Sequence, residues 1–251
     1  MKKKTSGILR IGTSNIVVPG TKQTFPPEFQ HKSRLNYYSS IFNSLEINSS
    51  FYKVPMASTF EKWSLDVPDN FRFTIKLSKE ITHIKELKIE LCNIDLFLKA
   101  ADRIGEKKGC ILVQFPGKIS FDYYNKVEEI LQRLTASEYR NDWCIAIEFR
   151  NPTWHVSETF ELLNEYEASI VLHDIPKAKN QEVNKGAAFI YIRYHGPKGD
   201  YRGSYTDDYL KAEFKKIKGW LKEGKDVYAY FNNTMGSALE NAIKLKTIAR
   251  L

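Results

Sequence analysis

Cysteine is scarce in this chain and nowhere paired. Cys92, Cys110 and Cys144 stand far apart, with no CxxC spacing, which argues against a disulfide framework and reads as reduced core thiols of a cytoplasmic protein. Long apolar runs are missing too, so no membrane span is expected. Only the short Ile8-Leu9-Arg10-Ile11 follows the basic Met1-Lys2-Lys3-Lys4-Thr5, so no secretory leader is expected. There is no GxGxxG after the first apolar run and no Walker loop, which removes the usual phosphate-cradling signatures. Neither HxH nor HExxH occurs, and the sequence names no cofactor. Internal repeats, low-complexity segments and linkers are absent.

The length of 251 residues, 42% of them apolar, is enough for one domain over residues 1–251 with a full core, preceded by a basic tail of about residues 1–6. Net charge is +8, concentrated at Lys2 to Lys4, Lys76 to Lys88, Lys107-Lys108 and Lys211 to Lys225. Such lysines are either solvated helix faces or an attraction for nucleic acid or anionic metabolites, and charge alone does not separate these.

The most informative stretch is Ile147-Glu148-Phe149-Arg150-Asn151-Pro152. It follows the apolar Trp143-Cys144-Ile145-Ala146, as a strand buried on both faces would. Period-two geometry puts Glu148 and Arg150 on one side; Asn151-Pro152 then breaks the strand. The pattern of apolar strand, polar end and loop recurs. Further strands are expected at 8–13, 44–48, 71–76, 110–114, 168–172, 188–192 and 226–230. Helical periodicity lies between most of them: about 31–42, 58–65, a long stripe from Leu87 to Ala101, one after Ser120, one capped by Ser157, 207–221, and a last one from near Gly236. Residues 176–186 are polar and show none. Eight strands, nearly all followed by a helix, predict an α/β fold: a single closed (β/α)8 TIM-type barrel. An open doubly wound sheet is the alternative.

Barrels of this kind build their sites at the C-terminal ends of the strands. Those ends carry Ser14, Glu46, Asn48, Lys76, His83, Gln114, Glu148, Arg150, His173, Asp174, Arg193, His195, Asn232 and Asn233, while the strand interiors are almost wholly apolar. Glu46 and Glu148 are candidate acid and base with His195 beside them. Lys76, Arg150 and Arg193 would clamp a phosphate or carboxylate, and Asn48, Gln114 and Asn232 would orient a substrate. Water is expected to reach Glu148 in an open cleft. The competing structural reading makes the same charges an ion network plugging the barrel, and Trp154 a packing residue. A divalent metal held by Glu46, Glu148, His173, Asp174 and His195 has no spacing to support it.

These blocks, taken in order, resemble the YecE-like family, domain of unknown function 72. They are Gly12-Thr13-Ser14, Leu45-Glu46-Ile47-Asn48-Ser49-Ser50-Phe51-Tyr52, Thr82-His83, Gln114-Phe115-Pro116, Glu148-Phe149-Arg150 with Trp154, Arg193-Tyr194-His195-Gly196, and Tyr230-Phe231-Asn232-Asn233 with Ala238 and Asn241-Ala242. The resemblance spans nearly the whole chain and implies a barrel. It supplies no reaction. The chain departs from the family pattern at Asn15-Ile16-Val17-Val18-Pro19, where a glycine and an aromatic pair usually follow Gly-Thr-Ser. The functional expectation is an enzyme acting by hydrolysis or isomerisation on a small polar, anionic molecule at the barrel mouth. The alternatives are a nucleic-acid-binding module using the basic surface, and a metal-dependent hydrolase or isomerase.

Overall fold

The computed structural model describes residues 6–251; the basic stretch Lys2 to Lys4 lies outside the described residues. Eight parallel strands form the barrel: β1 (Leu9–Thr13), β2 (Ser44–Ile47), β3 (Arg72–Lys76), β4 (Lys108–Phe115), β5 (Cys144–Phe149), β6 (Ala168–His173), β7 (Phe189–Tyr194) and β8 (Asp226–Phe231). They are hydrogen-bonded in the order β1-β8-β7-β6-β5-β4-β3-β2. The ring closes between β1 and β2 through a single bridge, Ser14 to Glu46. Around it lie α1 (Arg34–Ile41), α2 (Ser49–Tyr52), α3 (Ala57–Leu65), α4 (Lys79–Thr82), α5 (Cys92–Ala101), α6 (Tyr124–Ala136), α7 (Ser157–Glu165), α8 (Asp207–Lys222) and α9 (Ala238–Ala249). Among the described residues no helix is long and apolar enough to cross a membrane.

Strand alternation divides the core in two. Outward residues such as Ile11, Ile47, Ile75, Val113, Ile147, Leu172, Ile192 and Phe231 pack under the helices. The inward set is unevenly sized. Strands β7 and β8 supply Phe189, Tyr191, Tyr228 and Tyr230. The other inward side chains of this layer are smaller, with Cys110, Leu112, Ala146 and Val171 packed in the same cluster and Ser44 and Thr74 beside Tyr230. Tyr230 Oη lies 2.5 Å from Ser44 Oγ and 2.8 Å from Thr74 Oγ1, so the buried hydroxyls satisfy one another.

The β1–β2 seam shows why the ring is weakest there. The Tyr38 hydroxyl inserts between the strands, accepting from Thr13 N at 2.8 Å and donating to Ser44 O at 3.1 Å. The Asn43 side chain does the same for β1, accepting from Ile11 N and donating to Leu9 O, both at 2.9 Å. Side chains thus replace a strand ladder. A Cβ at Gly12 would stand 2.1 Å from Ser44 O, so only glycine permits the approach.

Three local expectations are corrected. The stripe from Leu87 to Ala101 is helical only from Cys92, because Glu86 and Leu87 take positive φ of 54° and 49° and break the run. The first helix begins at Arg34 rather than His31, where Ser33 Oγ accepts from Asn36 N. Ser157 is the first residue of α7 and makes no side-chain cap. Residues 176–186 form no regular helix beyond one turn, as expected; Asn180 instead pairs back on His173 by two backbone bonds of 3.2 Å.

Candidate active site at the barrel mouth

Arg193, 2% exposed on β7, is the hub. Its Nε and Nη2 donate to the two oxygens of Glu46 at 2.9 and 2.7 Å, and its Nη1 donates to Glu148 Oε2 at 2.6 Å. Glu148 Oε1 accepts from Arg150 Nε. Glu46 also accepts from Ser14 Oγ at 2.6 Å, Tyr191 Oη at 2.6 Å and Asn48 Nδ2 at 3.1 Å. Two carboxylates and two guanidiniums therefore neutralise each other at the top of the lumen.

Both glutamates have 0% exposure, which corrects the expectation that water reaches Glu148. Burial pushes each carboxyl up, but the arginines outweigh it: Arg193 holds Glu46 below the usual carboxylate range, and Arg150 with Arg193 holds Glu148 well below it. Burial works against the Arg193 charge as well, and the two carboxylates more than restore it.

The network continues outward. Arg150 Nη2 lies 3.1 Å from His195 Nε2. Arginine only donates, so that nitrogen is the acceptor and His195 is neutral with its proton on Nδ1, directed at Asp174 Oδ1 at 3.3 Å. Burial lowers the His195 pKa, in agreement. Asp174 is fixed by Tyr205 Oη and by His195 N at 2.8 Å. Arg150 Nη1 also donates to Tyr201 Oη at 3.3 Å. His173 lies beneath, its ring 5.9 Å from that of His195; burial lowers its pKa to about 4, and it is neutral at pH 7.

Above this layer is a cavity of about 270 Å³ lined by Asn15, Asn48, Phe51, Tyr52, Lys76, Gln114, Arg150, Arg193, Tyr201 and Asn232. Its lining holds three cations and no carboxylate. Lys76 Nζ donates to Gln114 Oε1 at 2.8 Å and sits 4.2 Å from the centre of the Phe51 ring. Burial, and then the Arg193 charge, lower its pKa to about 8. His83 stacks edge-on against Phe51 at 4.7 Å, and burial with the nearby Lys76 charge takes its pKa to about 4.

Every residue picked as catalytic or substrate-binding from the sequence comes to this region. Glu46, Glu148 and His195 form the buried layer. Asn48, Lys76, Gln114, Arg150, Arg193 and Asn232 reach the cavity wall. Asn233 does not: its Nδ2 donates to Gly203 O and Asn241 Oδ1, both at 3.0 Å, and it braces a loop. Trp154 is buried, stacked on Phe149 at 4.2 Å, with Nε1 donating to Ile119 O at 2.9 Å; it packs. Among the described residues no group of three His, Cys, Asp or Glu side chains is arranged to hold a metal.

Sequence reasoning missed Phe51, Tyr52, Tyr191, Tyr201 and Tyr205. Tyr191 stands two residues before Arg193 and was within reach of the alternation rule. Tyr201 and Tyr205 come from a loop whose path local sequence does not encode. Asn15 accounts for part of the departure at 15–19. Its φ of 64° suits glycine, and asparagine is the next most tolerant residue. Its Oδ1 accepts from Asn48 N at 3.1 Å.

The model of a family described as "Protein of unknown function DUF72" matches residues 10–251. The chain belongs to the DUF72 family. It is 25% identical to the UPF0759 protein YunF of Bacillus subtilis (strain 168), with 84% of each chain covered. Among solved structures, it superposes on a DUF72 family protein from Enterococcus faecalis v583 with a TM-score of 0.80 at 22% identity, covering 97% of this chain and 96% of that one. A DUF72 family protein from Thermotoga maritima MSB8 gives a TM-score of 0.75 at 23% identity, over 97% and 100%. These likenesses bear out the barrel; they carry no substrate.

Proposed function

We propose that this DUF72 barrel is an enzyme that binds a small metabolite through its phosphate or carboxylate group in the mouth cavity. One observation carries this: the cavity is walled by Lys76, Arg150 and Arg193, while the two carboxylates that balance the arginines lie wholly behind them. Each arginine uses three of its five N–H bonds on protein partners, and Lys76 uses one of three, so donors remain on all three residues. In this reading Glu46 and Glu148 are positioning residues. They lock the guanidinium planes for bidentate contact with an oxyanion, and proton transfer falls to groups at the cavity wall.

The two alternatives have less behind them. On α8, Lys211 pairs with Asp208 at 3.1 Å and Lys216 with Glu213 at 2.6 Å, so much of the basic surface is of mixed sign. A metal-dependent reaction lacks a ligand cluster among the described residues. Cys110 is buried but Cys92 is exposed rather than in the core, and the absence of a disulfide among the described residues suits a cytoplasmic setting.

Inorganic phosphate titrated against the protein, followed by NMR, tests the reading. Saturable binding at one site is expected. Arg150→Gln should weaken it by about 10–100-fold, the worth of a charge-assisted hydrogen bond of about 1.5–3 kcal/mol. Saturable binding that the substitution leaves untouched would place the anion elsewhere and overturn the proposal.

A further inference from the structure

Lys76 is the one lysine on the cavity wall, and its surroundings are unusual for an ammonium group. Both nearby carboxylates are committed: Glu46 to Arg193, Ser14, Tyr191 and Asn48, and Glu148 to Arg193 and Arg150. What remains for Lys76 Nζ is a neutral amide oxygen at 2.8 Å and an aromatic face at 4.2 Å. Arg193 and Arg150 face it from β7 and from the loop after β5, and His83 after α4 is neutral. An anion clamp needs no such arrangement, since a lysine paired with a carboxylate or open to water would hold its charge more firmly. A half-desolvated amine among fixed cations is instead how proteins prepare a lysine nucleophile.

We infer that Lys76 condenses with the carbonyl group of an anionic aldehyde or ketone, forming an imine while Arg150 and Arg193 hold the ligand's phosphate or carboxylate. This rests on the anion-site reading and names the class of ligand. The free amine attacks the carbonyl carbon, and the C–N bond forms as the carbonyl oxygen takes up a proton. Loss of that oxygen as water leaves a protonated C=N bond. Amine, carbonyl and one proton from solvent thus give the protonated imine and water, with no oxidant or reductant. Gln114 Oε1, which now accepts from the ammonium, is placed to accept from the N–H of the iminium. The cavity of about 270 Å³ is small, in keeping with a short-chain oxo acid or sugar-phosphate fragment.

Charge state supports the geometry. With burial and Arg193 lowering its pKa from 10.5 to about 8 against the pull of Glu148 and Glu46, Lys76 carries far more free amine at pH 7 than an ordinary lysine. Lower basicity returns part of that gain in nucleophilicity.

Reductive trapping tests the inference on the wild-type protein. Glyoxylate, an aldehyde bearing a carboxylate, is supplied at low concentration with sodium cyanoborohydride at pH 7, and the modified lysines are located by peptide mass spectrometry. Lys76 is expected to be labelled at least about ten-fold faster than exposed lysines such as Lys211. Saturating inorganic phosphate should suppress the labelling of Lys76 alone, and propanal, which has no anionic group, should show no preference for it. If phosphate binds saturably but Lys76 labels no faster than surface lysines, the imine falls and the anion site stands. If phosphate neither binds nor protects, the anion-site reading itself falls. Fast labelling by propanal as well as glyoxylate would overturn the role given to the arginines.

Discussion

The tyrosine layer of the barrel and the mouth just above it occupy successive inward positions of the same strands, yet they close differently. In the layer, neutral groups satisfy one another: Tyr230 meets Ser44 and Thr74, and the rings of Tyr191 and Tyr230 pack with centres 5.3 Å apart. Nothing is left over for a ligand. In the mouth, two residues up each strand, charges pair but donors remain on the arginines and on Lys76. The Tyr191 hydroxyl joins the two by donating to Glu46. Buried polarity that closes on itself is scaffold; buried polarity with unspent donors facing a cavity is a site.

The largest effect should come from breaking the mouth network from within. Glu148→Gln leaves the buried Arg193, and Arg150 at the cavity wall, short of a counter-charge. Removing one partner of such a pair costs about 3–5 kcal/mol, to be read by chemical denaturation; a loss under about 1 kcal/mol would mean that the network is not structural. The sign with pH follows. Glu148 is held well below the usual carboxylate pKa, so its stabilisation is present above the unfolded value and is lost as pH falls through the folded one. The variant should therefore lose less stability than the wild type on acidification.

Tyr230→Phe cuts the closed layer instead. It should cost about 1 kcal/mol, because Ser44 Oγ keeps its hydrogen bond to Arg72 O at 2.7 Å. Phosphate affinity should be unchanged within error when measured on the same preparations. A change in affinity would show that the layer and the mouth are one unit.

A milder probe of the mouth is pH. Sulfate keeps its charge across the range, so any change in its affinity reports the protein. Lys76, with a pKa of about 8, is charged below that value and neutral above it. Sulfate should bind best below pH 8 and lose roughly two- to ten-fold on going to pH 9.5, with the midpoint displaced upward because the bound anion favours the ammonium. A flat profile would remove Lys76 from the anion site. The smallest effect should be at the surface. Lys211→Ala breaks an ion pair whose side chains are 61% and 93% exposed, worth under about 0.5 kcal/mol, and should leave anion binding unaltered.

Much of this was legible in the sequence because it rests on periodicity. Apolar runs of strand length ending in Glu46, Lys76, Glu148 or Arg193 gave the strands, and the intervening stripes gave most helices. The rule that such barrels work at the C-terminal ends of their strands then selected the residues that meet at the mouth. Alternation also put Glu46 with Asn48 on one side of the chain, and they are hydrogen-bonded at 3.1 Å.

What sequence could not decide depends on distances between residues far apart in the chain. Whether Glu148 faced water or guanidinium was settled by Arg193, 45 positions later, reaching across the lumen to it. Which carboxylates were consumed, and so which cation was left with only an amide for company, follows from that crossing. The same holds for Tyr38, whose hydroxyl fills the β1–β2 seam, and for Tyr201 and Tyr205, carried to His195 and Asp174 by a loop without periodicity. Local pattern specifies which face of a strand a side chain takes, because backbone geometry alternates by itself. Burial, pairing and the resulting pKa shifts belong to the closed barrel, because desolvation and Coulomb energy depend on what stands opposite.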